Sequence, residues 1–308
     1  MSDPALTPWP ARVYSGSGMG EKSETLAVEE PLELRLHTPS GPVTLGVLMR
    51  TPGADAELVR GWLLSEGLWP TGLELQADPE NPNVMGLHTP EFERLAAWAR
   101  PGVSSSACGV CGTGSIERLA VRAALPVWTG GSLILNCDDS RESSERSEQQ
   151  KGRAGGDGRT SGVVTDVRES EQVRISAAFL AGLPGRLQAL QPGFAASGGL
   201  HAAGLFGPDG VCLCAYEDIG RHNATDKVMG WALERELLPL SDSILVVSSR
   251  AGFEIVQKAV TGGVAVVVTV GAATSLAAET AATFGLTLCG WARADRLTVY
   301  SGAARVGP

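Results

Sequence analysis

A chain of 308 residues, 43% of them apolar, has enough material to bury a sizeable core in one large domain or two ordinary ones. A formal charge of −9 excludes a protein whose main task is to grip a phosphate backbone, so no nucleic-acid partner is expected and any nucleotide must bind in a local pocket. Six cysteines in a chain of this length read as reduced thiols, reactive or metal-binding where they cluster, rather than as a disulfide framework.

The opening residues, MSDPALTPWPARVYSGSGMGEK, carry acidic residues, proline and glycine where an export signal needs a basic patch and an apolar run, which predicts a cytoplasmic protein. Residues 1–25 read as a flexible terminus and residues 26–137 as a smaller mixed α+β domain. Two alternating runs in LELRLHTPSGPVTLGVLMRTP predict a hairpin around Ser40, Gly41 and Pro42. ADAELVRGWLLSEGLW then places Leu58, Trp62, Leu63 and Leu64 on a helical stripe, with Asp55 as N-cap and Gly67 as the stop.

This first domain ends in SSSACGVCGTGS, residues 104–115, which sets Cys108 and Cys111 three apart in serine and glycine. Three chemistries fit. Zinc needs four ligands, and Cys212, Cys214 and His201 would have to complete the set. Yet Cys212 and Cys214 alternate within a strand, which predicts one shared face and a packing role. Thiol redox suits CxxC spacing, but a redox pair is expected at the start of a helix rather than in a glycine-rich loop. Sulfur carriage as a persulfide suits a nucleophilic thiol on a pliant arm.

Residues 138–162, DDSRESSERSEQQKGRAGGDGRTSG, are nearly devoid of apolar side chains and read as a disordered charged insertion. Residues 163–308 then alternate strand and helix. VCLCAYEDI (211–219), SILVVSS (243–249) and VAVVVTV (264–270) read as strands of a parallel sheet flanked by helices, with LTLCG and RLTVY as two more. A helix after the first of them is expected to start on Asn223 or Thr225. The longest apolar run, VAVVVTVGAA, falls far short of the ~20 residues that cross a bilayer, so no membrane span is expected.

Ligands of such sheets gather outside the carboxyl ends of the strands. The segments there, DIGRHNATDK, SSRAGFEIVQK and GAATS, supply Arg221, His222, Arg250, Lys258 and Thr274, each leading into a helix start, which points to an anionic ligand. A base deaminase is excluded on chemistry, because SGGLHAAG has Ala203 where the proton-shuttling glutamate would stand.

CGVCG, SGGLHAAGLF, EDIGRHNATDKVMG, SSRAGFEIVQKA and GAATSLAAETAATFGLTLCGWARADRLTVY, in that order, together resemble the FdhD family of formate dehydrogenase accessory sulfurtransferases, FdhD/NarQ. The openings EEPLELRL and TPGADAELVRGWLLSEGL are similar to that family as well. The resemblance implies a cytidine-deaminase-like, three-layer α/β domain over residues 163–308. It implies that sulfur from a cysteine desulfurase rides on Cys108 as a persulfide, with Cys111 as its partner. By the same resemblance, the acceptor is expected to be the molybdenum of the bis-molybdopterin guanine dinucleotide cofactor, bound as substrate before it enters the formate dehydrogenase catalytic subunit.

The cofactor segment implied by the resemblance is WARADR: Trp291, Ala292, Arg293, Ala294, Asp295 and Arg296, the arginines pairing with phosphates and a GDP-like nucleotide occupying the same site. Ala294 and Asp295 depart from the family pattern. Homodimers are usual in the family. A different class of reading stands beside this one: a cofactor-binding chaperone whose CxxC holds zinc or serves thiol redox.

Overall fold

The computed structural model describes residues 3–16, 18–99, 103–104 and 174–308. Cys108, Cys111 and the charged insertion at 138–162 lie outside the described residues.

Residues 1–25 were expected to be flexible, yet strands β1 (Leu6–Ser15) and β2 (Gly18–Ala27) pair antiparallel along their full length. Strand-forming Trp9, Val13 and Tyr14, followed by glycines at the turn, favour a hairpin over a coil.

The first domain is built on β3 (Glu30–Thr38) and β4 (Gly41–Arg50), which form the expected hairpin. Its turn falls on Pro39 and Ser40, one step earlier than expected, because Gly41 at φ 113° opens β4 in a backbone region that favours glycine. Leu32, Leu34 and Leu36 of β3 are fully buried, whereas the intervening Glu33 and Arg35 pair with each other. Strands β5 (Glu74–Ala77), β6 (Val84–His88) and β7 (Val103–Ser104) complete the sheet in the order β5-β6-β3-β4-β7. β6 runs parallel to β3, and β7 parallel to β4.

Helices α1 (Asp55–Ser65) and α2 (Phe92–Trp98) cover this sheet, packing Leu58, Trp62, Leu63 and Leu95 on its leucines. Gly67, at φ 67°, ends the α1 turn as expected. Asp55 does not cap α1. Its carboxylate instead accepts from Nε and Nη2 of buried Arg50 at 2.9 and 3.0 Å, since a buried guanidinium must be paired.

The second domain runs through β8 (Ile175–Ser176), α3 (Ala177–Gln188), α4 (Pro192–Ser197), β9 (His201–Phe206), β10 (Cys212–Asp218), α5 (Arg221–Glu234), β11 (Ile244–Val247), α6 (Phe253–Thr261), β12 (Val266–Thr269), α7 (Ser275–Thr283), β13 (Thr287–Arg293), β14 (Arg296–Ser301) and β15 (Val306–Gly307). Its main sheet has the order β10-β9-β11-β12-β13-β14. Only β11, β12 and β13 pair parallel with one another. The 211–219 segment, expected among the parallel strands, points the same way as they do but is separated from them by antiparallel β9, with which it forms a hairpin, and β14 turns back antiparallel from β13.

Leu180, Leu183 and Leu187 of α3 pack on one face of the sheet, against Ile244, Val246 and Val268. Val228, Ile255 and Ala281, from α5, α6 and α7, pack on the other, against Leu245, Val247 and Val267. The result is a helix–sheet–helix sandwich, as doubly covered parallel strands require. Among the described residues no helix is long and apolar enough to cross a membrane.

A bulge between Cys212 and Cys214 overturns the expectation that these thiols share a face. The extra residue sends Cys212 to the α3 side and Cys214 to the α5 side.

The two domains meet where α1 crosses α5. A methyl group at Gly61 would strike the carbonyl of Asp226, and one at Gly230 the carbonyl of Glu57, so the helices touch backbone to backbone. Buried charge flanks the contact. Lys258 Nζ donates to both carboxylate oxygens of Asp226 at 2.7 and 2.8 Å, and Ser65 Oγ donates to Asp226 Oδ1 at 2.8 Å. Lys227 Nζ lies 2.8 Å from Asp218 Oδ2, which also accepts from Thr51 N–H. α5 starts at Arg221 with Gly220 as its cap, and Asn223, one of the expected caps, donates instead to the carbonyl of Met49 and to Asp218.

Gly230→Ala is expected to destabilise the protein by about 1–3 kcal/mol, the usual cost of overpacking a closed contact. Lys258→Met, which strands a buried carboxylate, is expected to cost about 3–5 kcal/mol. Urea unfolding of each variant checks both values.

Candidate functional site

The parallel strands β11, β12 and β13 end on one edge of the sheet, and antiparallel β9 begins there. A cavity of about 600 Å³ opens at this edge, a volume suited to a small ligand or cofactor fragment. Ser248 follows β11, Val270 follows β12, Arg293 ends β13 and His201 opens β9, and all four line the cavity. The opposite wall is α3 with α4, including Gln188, Gln191 and Phe194. Glu217 fixes α4 by accepting the backbone N–H groups of Gly193 and Phe194 at 2.8 and 2.7 Å.

The WARADR segment turns the corner from β13 to β14. Gly290 lies so close to the β12–α7 turn that a methyl group there would sit 2.6 Å from the carbonyl of Gly271. Trp291 takes φ 51°, a left-handed conformation costly for a large side chain, and its N–H donates to that same carbonyl at 3.0 Å. The strand bulges between Gly290 and Arg293. Ala292 is thereby buried, Arg293 and Ala294 line the cavity, and Asp295 is exposed. Arg296 stacks its guanidinium 5.2 Å from the centre of the Trp291 ring.

The other expected ligand residues divide. Arg221, half-buried, starts α5 near His201. Arg250 is exposed in the turn before α6, and that turn is zipped to the one before α7 by the Ala251–Ala273 bridge. Thr274 uses its hydroxyl oxygen to accept Ala277 N–H and cap α7. Two expectations are corrected. Lys258 is a buried partner of Asp226 rather than a cation at the cavity. His222 is buried with Nε2 2.7 Å from Glu254 Oε2. In both cases a partner distant in sequence takes the group, since burial without one would be prohibitive.

Sequence reasoning missed His201, Ser248 and the glutamines as cavity residues. The signal for His201 was its place directly before the apolar run AAGLF, at the start of a strand. Burial, with Arg221 and His222 nearby, holds the His201 pKa below the ordinary imidazole value, while Asp218 pulls the other way.

Burial pushes the thiols of Cys214 and Cys289 up to about 12 and raises that of Cys212. None of these three thiols is a ready nucleophile at neutral pH. Among the described residues no cluster of His, Cys, Asp or Glu could hold a metal ion.

Fold and cavity together define an α/β protein with a ligand crevice at the carboxyl edge of its parallel strands, pinned to a smaller sheet domain. The sequence profile described as the FdhD/NarQ family matches residues 127–307. The chain is 37% identical over 298 residues to the sulfur carrier protein FdhD of Nocardia farcinica, covering 94% of this chain and 91% of that one. It is 36% identical to the protein of the same name from Streptomyces coelicolor, covering 96% and 93%, and 31% identical to that of Picrophilus torridus, covering 92% of each. A crystal structure assigned to a formate dehydrogenase accessory protein of Desulfotalea psychrophila superposes with a TM-score of 0.67 at 17% identity, covering 99% of this chain and 100% of that one, a likeness of fold. The chain belongs to the FdhD/NarQ family.

The hydrogen bond from His222 lowers the Glu254 pKa below 4.5, outweighing the opposite effect of burial. A carboxyl depressed in the folded state contributes stability above its unfolded pKa and loses it as pH falls through the folded value. Glu254→Gln is therefore expected to flatten the loss of stability from about pH 4.5 downward. Denaturant titrations across that range check it, and a slope equal to wild type would contradict the assignment.

Proposed function

We propose that this chain is a sulfur carrier for formate dehydrogenase. Cys108 accepts sulfur as a persulfide from a cysteine desulfurase, with Cys111 as its partner thiol, and passes it to the bis-molybdopterin guanine dinucleotide form of the molybdenum cofactor, held as substrate in the crevice. In this reading the second domain is a cytidine-deaminase-like scaffold that kept the pocket and, with Ala203, lost the proton-shuttling glutamate. The protein acts in the cytoplasm as a homodimer.

The course of β7 carries the proposal. This strand runs parallel to β4 with Ser104 opposite Leu48, and β4 leads into Thr51. Thr51 is hydrogen-bonded to Asp218 and Ile219, and Asp218 is the ladder partner of His201 on the cavity wall. Cys108 follows Ser104 by four residues, a tether of at most ~14 Å. The strand that bears the CxxC segment thus leads to the junction beside the cavity, which supports short-range delivery from thiol to crevice.

Arg293 and the helix-facing glutamines supply a cation and neutral donors suited to a phosphorylated heterocycle. Arg293→Ala is expected to weaken binding of guanosine diphosphate by about tenfold or more, the worth of a charge-assisted contact, as read by calorimetry. Incubation with a cysteine desulfurase and cysteine is expected to add about 32 Da per sulfur to Cys108 or Cys111, detected peptide by peptide. Cys108→Ala is expected to abolish activation of formate dehydrogenase. If both cysteine variants still activate the enzyme, the protein is a cofactor-binding chaperone instead, and stoichiometric zinc lost on mutating Cys111 would identify its metal-bound form.

A further inference from the structure

Sulfur transfer from a protonated persulfide leaves a proton to be moved, and the crevice has few groups able to move it. Of the described side chains lining the cavity, only His201 and Arg293 are ionisable, and arginine keeps its proton at any working pH. We infer that His201 is the acid–base group of the crevice, carrying the proton of the transferred sulfur; the inference rests on the sulfur-carrier reading above.

The position of His201 is set from both domains. It opens β9 opposite Asp218 of β10, and that carboxylate is fixed by Thr51 N–H of the first domain and by Lys227 of α5. The next residue, Ala202, donates its N–H to Ser248 Oγ at 2.9 Å, which ties the start of β9 to the end of β11. The ionisable groups acting on the ring are Asp218 from β10 and Arg221 and His222 from α5, and Arg293 from β13 lines the same cavity. Burial foremost, with Arg221 beside it, lowers the His201 pKa and so favours the neutral imidazole at pH 7, the form that accepts a proton. Nothing in the sulfur-carrier proposal otherwise uses this residue.

The step balances without any further reactant. The acceptor, a reduced metal centre, supplies an electron pair that forms its bond to the terminal sulfur of the Cys108 persulfide while the S–S bond breaks. The terminal sulfur is reduced by two electrons to sulfide and the acceptor is oxidised by two. His201 takes the proton from the terminal S–H and returns it to the departing Cys108 thiolate, so the free thiol and the neutral imidazole are both regenerated.

The test uses the full-length chain loaded with radiolabelled sulfur by a cysteine desulfurase, with loading verified by mass. Single-turnover transfer of label is then followed, across pH, to the guanine dinucleotide cofactor recovered from formate dehydrogenase. For wild type the rate is expected to fall along an acidic limb that lies below the ordinary imidazole range, where the lowered His201 pKa lets the ring gain a proton. His201→Gln is expected to load normally, to transfer at least ~100-fold more slowly and to lose that acidic limb. His201→Ala is expected to regain transfer when imidazole is added.

A His201→Gln protein that transfers label at the wild-type rate overturns the inference. So does one that fails to load, or one slowed uniformly with the wild-type pH profile intact, because each marks a structural role. Wild-type protein that takes up no label on Cys108 or Cys111 refutes the sulfur-carrier reading itself, an outcome distinct from failure of His201 alone.

Discussion

The contact on which the rest of the molecule depends is the crossing of α1 and α5, where Gly61 and Gly230 let two backbones meet without side chains between them. Close approach there brings Asp226, Ser65 and Lys258 within hydrogen-bonding distance and closes water out of the seam. Charges so deeply buried are tolerable only as satisfied pairs, so the seam has essentially one geometry in which it can exist.

That geometry reaches the crevice through a short chain of bonds. Thr51 leaves β4 and grips the β10–α5 turn, Asp218 of that turn faces His201, and His201 forms part of the cavity wall. The opposite lip is set by the second domain alone, where the close approach of Gly290 to Gly271 and the left-handed Trp291 force the strand to bulge and bring Arg293 to the opening. A cation on a distorted strand end and an imidazole on a seam-anchored strand start therefore share one space, though they derive from separate constraints.

Much of the second domain was legible in the sequence, because Ile244–Val247 and Val266–Thr269 are buried on both faces and their composition says so. Not legible was β9, whose short apolar run AAGLF gives no sign that it inserts antiparallel between β10 and β11. The bulge at Cys212 was hidden for a related reason, since one unpaired residue leaves no trace in composition. Among site residues, Arg293 could be singled out from its motif. Lys258 and His222 were misjudged because a cation beside a glycine-rich turn resembles a phosphate ligand until the acid that neutralises it is found, here Asp226 and Glu254, each distant in sequence. His201 escaped because its ring gains meaning only when β9 lies beside β11.

The three thiols of the main sheet have a consequence for chemical selectivity. Each is protonated by its surroundings, and the bulge holds Cys212 and Cys214 on opposite sides of the sheet. An electrophile, or a roaming sulfane atom, meets no anionic sulfur anywhere in that scaffold. Among the described residues, burial thus withholds the sulfur of the sheet from such reagents, and the scaffold is chemically quiet where its strands pack.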